Sequence, residues 1–127
     1  MKIKSILTIG LLAFFGNLSV GAQTNGQMVR LANLVIHSSQ LGAYTVALRE
    51  EIETSIRLEP GVLTLYAVAE KNKPSHITIL EIYADSVAYK AHLQTPHFIK
   101  YKSLTKNMVR SIELVETVAI VPGVKIK

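Results

Sequence analysis

The side chains best suited to chemistry in this sequence are its histidines, and their spacing argues against a metal chelate. The four histidines are His37, His76, His92 and His97. No two stand four residues apart on one predicted helix, and Pro96 separates His92 from His97. The absence of cysteine excludes a thiol nucleophile, an iron–sulfur cluster and a cysteine-bound zinc. There is also no glycine-rich phosphate loop and no G-x-S-x-G motif. We therefore expect neither a metal site nor a cofactor.

What remains is a set of single polar side chains placed among apolar residues. Its members are Asn33, Tyr66, Glu81, Tyr83, His92, His97 and Tyr101. A buried polar group needs a hydrogen-bonding partner, so each of them could simply satisfy a backbone group or a neighbour. Taken together, they could instead line an apolar pocket with a few convergent polar groups, which is the usual form of a small-molecule site.

The elements that must position these side chains alternate between strands and helices. Serine caps, a Glu-Pro-Gly turn, an aspartate cap and a Thr-Pro helix start mark their boundaries. The predicted strands are 28–37, 62–70, 76–84 and 109–121, with a hairpin loop at 71–75. The predicted helices run from Ser38 or Ser39 to Leu58, from Asp85 to Leu93, and from Pro96 to about Asn107. The order βαββαβ predicts an α+β fold of the ferredoxin-like class.

The predicted strands carry apolar residues on both faces. The first strand has Leu34 and Ile36 on one parity and Leu31 and Val35 on the other. Two helices can cover only one face of the sheet, so the second face must pack against something else. We expect a homodimer with its sheets face to face; the alternative is a monomer with a ligand cavity over the open face.

Residues 1–22 have the pattern of a cleavable signal peptide. Lys2 and Lys4 precede a short apolar run, and Val20-Gly21-Ala22 forms a small-residue cleavage site. The run is shorter than the roughly 20 residues that a membrane-spanning helix needs, although an uncleaved anchor is the alternative. We expect an exported protein, periplasmic or secreted, with no stable membrane anchor after cleavage. Residues 23–27 would form a flexible tail, 28–121 the single domain and 122–127 a C-terminal tail.

The charged residues do not point to nucleic acid. The chain has 14 basic and 9 acidic residues, and its formal net charge is +5. The basic residues of the predicted domain are scattered without a basic run, which is typical of a solvated surface. We expect no nucleic-acid partner.

Three segments resemble the antibiotic biosynthesis monooxygenase family. They are the turn Glu59-Pro60-Gly61, the run Ile79-Leu80-Glu81-Ile82-Tyr83, and Ala91-His92-Leu93-Gln94-Thr95-Pro96-His97-Phe98. The last segment is the most specific, and it resembles the bacterial quinol monooxygenases of that family. The resemblance implies a dimeric α+β barrel with a pocket between sheet and helices in each subunit. It also implies oxidation of quinols or polyphenols by O₂ without metal or flavin.

On this resemblance, the first hypothesis is a cofactor-independent monooxygenase whose substrates are a quinol-like aromatic molecule and O₂. His92 or His97 would be the general base, Asn33 and Tyr66 would orient substrate oxygens, and Glu81 would hold a histidine or tyrosine in place. The candidate substrate-binding residues are Asn33, Tyr66, Glu81, Tyr83 and Tyr101. The alternatives are a non-catalytic small-molecule binding protein and an isomerase on the same scaffold.

Overall fold

A computed structural model describes residues 26–123 of the chain. The predicted leader (1–22), most of the predicted N-terminal tail and residues 124–127 lie outside the described residues. The strands are β1 (Met28–Ile36), β2 (Val62–Glu70), β3 (Lys73–Tyr83) and β4 (Val109–Thr117). The helices are α1 (Leu41–Leu58), α2 (Ser86–His92) and α3 (Pro96–Thr105), and a 3₁₀ turn at Ser38–Gln40 precedes α1.

The four strands form one antiparallel sheet in the order β2-β3-β1-β4. This order and the βαββαβ sequence of elements confirm the predicted α+β, ferredoxin-like fold. In the register of the two central strands, Ala32 lies opposite Ile79 and Leu34 opposite Ile77, and all four are buried. Full burial of one such aliphatic side chain stabilises the fold by about 1.5–3 kcal/mol. We call the side of the sheet that bears these residues the helix face, because the core between sheet and helices is built on it.

The opposite side of the sheet, which we call the open face, is covered by no other element among residues 26–123. Its side chains come from alternate positions of the same strands and are partly buried or exposed. The apolar members are Val29, Leu31, Val35, Tyr66, Val68, Leu80, Ile82 and Val115. The expectation that apolar residues occupy both faces of the sheet is therefore confirmed.

Helix α1 packs its buried stripe on the sheet and ends at Leu58 as predicted, but its start differs from the prediction. Neither Ser38 nor Ser39 caps it; both lie in the 3₁₀ turn, and the residue before the helix, Gln40, makes no side-chain capping bond. Ile56 is exposed and lies outside this stripe. Its buried residues are Tyr44, Ala47, Leu48, Glu51 and Ser55.

The break between α2 and α3 follows the predicted capping chemistry. Asp85 Oδ1 accepts a 2.7 Å hydrogen bond from the backbone N–H of Ala88. Thr95 Oγ1 accepts one of 3.3 Å from the N–H of Phe98, and Pro96 occupies the first turn of α3. Each side chain satisfies a backbone donor that the helix leaves unpaired. The two caps set the positions of His92, at the end of α2, and of α3.

Two strand boundaries were predicted incorrectly. The β2–β3 connection is a two-residue turn at Lys71-Asn72, and β3 begins at Lys73 rather than at His76. Pro74 is tolerated in β3 because the register shifts beside it, between the Ala69 and Glu70 pairings. The last strand ends at Thr117 rather than at Val121, because its pairing with β1 ends opposite Val29.

Within residues 26–123, no helix is both long and apolar enough to cross a membrane.

Candidate active site

A cavity of about 380 Å³ lies between the helix face of the sheet and the helices. Its apolar walls come from all layers of the fold and include Leu34, Leu48, Leu65, Ile79, Leu93 and Phe98. Its polar side chains include Arg30, Glu51, Glu81, Tyr83, Tyr89, His92 and Tyr101, and three further cationic residues, Lys102, Lys106 and Arg110. A mostly apolar chamber with a small set of polar groups is the general form of a small-molecule site.

The cavity brings together four of the seven residues singled out from the sequence, namely Glu81, Tyr83, His92 and Tyr101. His97 does not line it but lies behind His92, 14% exposed at its side chain.

Asn33 and Tyr66, by contrast, point away from the cavity. Their neighbours Ala32, Leu34 and Leu65 face the helices, and successive side chains of a strand point to opposite faces. Asn33 therefore lies on the open face, where its Oδ1 accepts a 2.9 Å hydrogen bond from Thr78. Tyr66 is 66% exposed on the same face. The expectation that these two residues orient a substrate in the pocket is therefore wrong, because their positions along the strands place both side chains on the open face.

One carboxylate, Glu59, joins the two histidines. Glu59 follows the last residue of α1, and its Oε2 lies 2.9 Å from His92 Nδ1 and 2.6 Å from His97 Nε2. His92 is almost fully buried, and the side chains of Glu59 and His97 are 13% and 14% exposed. Three element ends therefore meet in one hydrogen-bonded group, which we call the Glu59 cluster (Glu59, His92 and His97).

The charge on Glu59 is stabilised where it lies. Burial by itself would raise the pKa of this carboxyl, but the hydrogen bonds from His97 and His92 outweigh it and hold the pKa below its ordinary value. An ionised carboxylate accepts hydrogen bonds only, so each histidine must present an N–H to it. In neutral His92 the proton then resides on Nδ1, which leaves a lone pair on Nε2.

Glu51 lies on the other side of the His92 ring. Its Oε1 is 3.5 Å from His92 Nε2 and accepts a 2.7 Å hydrogen bond from Ser55, one turn further along α1. Burial raises the pKa of Glu51, although the hydrogen bond from Ser55 and the nearby histidines oppose the shift. The pKa values of the two carboxyls beside His92 are thus shifted in opposite directions, which is a common arrangement in acid–base sites.

Glu81 and Tyr83 form a second polar pair in the cavity. The hydroxyl of Tyr83 donates a 3.1 Å hydrogen bond to Glu81 Oε2. Burial raises the pKa of both groups, so Tyr83 remains a phenol at neutral pH. The ring of Tyr83 packs 5.5 Å from the ring of His92, measured between centroids. Glu81 therefore fixes the hydroxyl of Tyr83.

Arg30 brings a positive charge to the cavity from β1. Its Nη1 donates a 2.6 Å hydrogen bond to the hydroxyl of Tyr89, its Nη2 binds Glu116, and its Cζ lies 4.4 Å from the centre of the Tyr89 ring. The residue is only 8% exposed, and among the residues that the structure describes its Nε atom finds no hydrogen-bond partner. A buried donor without a partner is costly in an otherwise satisfied interior.

Tyr101 is connected to a residue behind the cavity wall. Its hydroxyl lies 2.7 Å from that of Tyr44, which is fully buried on α1. Burial is the largest cause that raises the pKa of each phenol. Both therefore stay protonated at neutral pH and act as hydrogen-bonding groups rather than as bases.

The Glu59 cluster is also the place where these residues could hold a metal ion. One ligand atom from each of its three residues lies within 4.8 Å of the others. Two imidazole nitrogens and a carboxylate oxygen form a donor set found at zinc and iron sites. The same atoms are joined by the two hydrogen bonds to Glu59, so an ion would have to displace both protons.

Sequence reasoning missed Arg30, Glu51, Glu59 and Tyr89. Glu59 was interpreted only as part of a turn, and its contacts with His92 and His97 span 33 and 38 residues. Glu51 did carry a signal, since it stands three residues after Leu48 and four before Ser55, on the stripe that α1 buries. A carboxylate on such a stripe marks a buried polar site.

The fold and the site together define a ferredoxin-like α+β protein with a buried small-molecule cavity that contains a histidine–carboxylate group. The sequence model of one family matches residues 28–103, and its description is antibiotic biosynthesis monooxygenase. The chain belongs to this family, as the resemblance noted from the sequence implied.

Solved structures agree with that membership. A Bacteroides thetaiotaomicron protein, provisionally named an antibiotic biosynthesis monooxygenase, is 55% identical to this chain; the alignment covers 82% of this chain and 99% of that one, with a TM-score of 0.81. A provisionally named monooxygenase from Lactobacillus acidophilus is 27% identical over 71% of this chain and 43% of its own, with a TM-score of 0.70. A Nitrosomonas europaea protein, 20% identical over 76% and 93% of the two chains, shares the fold with a TM-score of 0.71. The comparison with curated proteins gave no match.

Proposed function

We propose that this protein is a monooxygenase that oxidises a quinol or polyphenol-like molecule with O₂ and needs neither metal nor flavin. The observation that carries the proposal is the setting of His92. Glu59 holds its Nδ1 at 2.9 Å, and its Nε2 lies near Glu51, a second residue of the cavity wall. A carboxylate that fixes the tautomer of a buried histidine prepares the other nitrogen to take a proton.

In the proposed reaction, His92 Nε2 accepts the proton of a phenolic hydroxyl, and the electron-rich phenolate donates electrons to O₂. One quinol and one O₂ then give one hydroxyquinone and one water. A C–O bond forms on the ring, the O–O bond breaks, and the ring supplies all four electrons that O₂ takes up. The protein binds the ring, removes the proton and excludes water.

The remaining wall residues have supporting roles in this proposal. Tyr83 and Tyr101 are protonated phenols that hydrogen-bond substrate oxygens, and Glu81 fixes the hydroxyl of Tyr83. His97 is a positioning residue that donates to Glu59 from behind. The general monooxygenase assignment is supported by the family and by the names of the similar structures.

We also propose that two copies assemble through their open faces. Eight apolar side chains lie on that face, and Tyr66 and Val68 are 66% and 49% exposed in the single chain. An apolar surface of this kind is unfavourable in water unless a partner covers it.

We also propose that the protein acts after export. The leader pattern of residues 1–22 supports this proposal and predicts a mature chain that begins near Gln23.

Oxygen uptake by the mature protein with a panel of hydroquinones tests the proposed reaction. We expect uptake to continue in EDTA and without added flavin, and to be lost in His92→Ala. Tight binding of an aromatic ligand without any O₂ uptake would instead indicate a binding protein. Conversion of a ligand to an isomer under anaerobic conditions would indicate an isomerase.

A further inference from the structure

The side chains at the cavity carry more positive than negative charge. Four cationic residues line it, Arg30, Lys102, Lys106 and Arg110, against two carboxyls, Glu51 and Glu81. Burial raises the pKa of both carboxyls, because it disfavours their charged form. A concave site lined by one sign of charge concentrates ligands of the other sign.

The cationic groups are not spread evenly. Lys102 and Lys106 stand four residues apart on α3 and therefore share one side of that helix, and Arg110 follows near the start of β4. All three are exposed, whereas His92 and Glu51 are buried, so the three mark the mouth of the cavity. Among residues 26–123, none of the three forms an ion pair with an acidic side chain.

A second, independent observation lies deeper in the cavity. Arg30 is 92% buried, since 8% of it is exposed, and its Nε donor is unsatisfied by any described residue. Its Nη1 and Nη2 carry two N–H groups each, of which Tyr89 and Glu116 accept one each, so each of these nitrogens keeps a further donor. Because Arg30 lines the cavity, a ligand oxygen beside it would accept a hydrogen bond from these remaining Nη donors.

We infer that the natural ligand is an aromatic acid: its ring fills the apolar middle of the cavity, its anionic group meets Lys102, Lys106 and Arg110 at the mouth, and a ring oxygen accepts a hydrogen bond from Arg30. The inference deepens the proposed function, because it names the substrate class of the same cavity. A phenolic hydroxyl lies at the His92 end and a carboxylate at the other. The carboxylate distinguishes such a molecule from a neutral hydroquinone of the same ring size.

The test compares 2,5-dihydroxybenzoate with its methyl ester, which has the same ring and hydroxyls but a methyl group in place of the negative charge. In calorimetric titrations at low salt, we expect the acid to bind at least about tenfold more tightly than the ester. The difference should shrink at 1 M salt, where charges separated by more than about 3 Å are screened. Equal affinities, or binding of neither probe, overturn the inference.

A matched pair of triple variants assigns the effect to the mouth. Replacing Lys102, Lys106 and Arg110 by Gln should bring the affinities for acid and ester to within about twofold of each other, with the ester unchanged. The control replaces Lys71, Lys73 and Lys100 by Gln, which removes the same charge away from the cavity and should preserve the difference. A difference that survives in the mouth variant overturns the inference.

Oxygen uptake separates this inference from the proposed function. Charge-dependent binding of the acid without O₂ uptake supports the ligand class and refutes the oxygenase. Uptake with acid and ester at equal KM supports the oxygenase and refutes the ligand class.

Discussion

His92 Nδ1 lies 2.9 Å from Glu59 Oε2, although the two residues are 33 positions apart in the chain. This bond fixes which nitrogen of His92 carries the proton, and Glu59 achieves it without lining the cavity. We therefore predict that Glu59→Gln lowers kcat by about 10-fold to 100-fold and leaves KM within about twofold, because it changes the orientation of the base rather than ligand binding.

The ¹⁵N chemical shifts of the His92 ring report its tautomer, and they should not change if Glu59 has only a structural role. The wild type should show the Nδ1–H tautomer at neutral pH. The Gln amide can donate to Nδ1, so the variant should move the proton to Nε2. An unchanged tautomer, or a loss of activity entirely in KM, would contradict the positioning role. Glu53→Gln, an exposed change on α1, serves as the control.

The two histidines should differ sharply in their effect on turnover. His92 lines the cavity, whereas His97 only donates to Glu59. We expect His92→Ala to lower kcat by about 10²-fold or more, the usual contribution of a general base. His97→Ala removes one hydrogen bond and should cost at most about tenfold. A larger loss in His97→Ala than in His92→Ala would move the base to His97; circular dichroism should show that both variants remain folded.

The free energy of unfolding should depend on pH through Glu51, in the direction opposite to its dependence through Glu59. Burial raises the pKa of Glu51 above its ordinary 4.5, so the folded state holds the proton more tightly than the unfolded chain does. The free energy of unfolding therefore falls as pH rises through 4.5 to the folded pKa. Glu51→Gln removes this loss. The free energy of unfolding of the variant should therefore increase relative to that of the wild type as pH rises from 4 to 8.

Urea unfolding at the two pH values measures this gain. For Glu59 the pKa is lowered, so its stabilising contribution is present above 4.5 and is lost as pH falls. Glu59→Gln should therefore be less stable than the wild type above pH 4.5, and this deficit should shrink as the pH falls further through the lowered pKa of Glu59. A pH dependence in Glu51→Gln equal to that of the exposed control Glu53→Gln would refute the prediction.

A charge on the open face should prevent dimer formation. Leu31 and Val35 lie on that face, and either Leu31→Arg or Val35→Arg would place a guanidinium in an interface that typically buries about 2,000 Å² or more in obligate dimers. We expect sedimentation to give a dimer for the wild type and a folded monomer for the variants. Val46→Arg, on the exposed side of α1, should remain dimeric. A wild-type monomer at micromolar concentration would disprove the assembly.

The packing of α2 depends on the absence of a side chain at Gly61. A Cβ atom there would lie 2.5 Å from the Cβ of Ala88 on α2, which is closer than two carbon atoms approach. We predict that Gly61→Ala costs about 1–3 kcal/mol in urea unfolding and lowers turnover, because α2 carries His92. In Gly42→Ala the new methyl group meets no atom within 4 Å, so that variant should be neutral or slightly stabilised. Equal stability of the two variants would argue against the contact.

The fold was predictable because its local signals agree with one another. Asp85, Thr95 and Pro96 mark two helix starts by chemistry that acts within four residues. The start of α1 was not predictable in this way, since Ser38 and Ser39 have the right side chains but lie in a 3₁₀ turn. Boundaries that depend on pairing with a distant strand, such as the end of β4, lie beyond local signals.

The site was predictable only in part, for two physical reasons. Strand β1 carries apolar residues on both faces, so its composition could not tell which face Asn33 occupies. The Glu59 cluster arises from contacts across more than 30 residues, and only the packed fold creates them. Glu81 was the clearest signal, because it interrupts an apolar run of β3 between Leu80 and Ile82.

The buried pair of Tyr44 and Tyr101 gives the cavity a hydrogen bond with a fixed direction. Among the residues that the structure describes, Tyr101 is the one hydrogen-bond partner of the Tyr44 hydroxyl. Tyr44 must therefore donate, because its buried O–H would otherwise have no acceptor. Tyr101 then keeps its own proton for the cavity, and a hydroxyl that already accepts a hydrogen bond is a stronger donor. The strength with which Tyr101 polarises a bound molecule is therefore set from the layer behind it, by a residue that the molecule never touches.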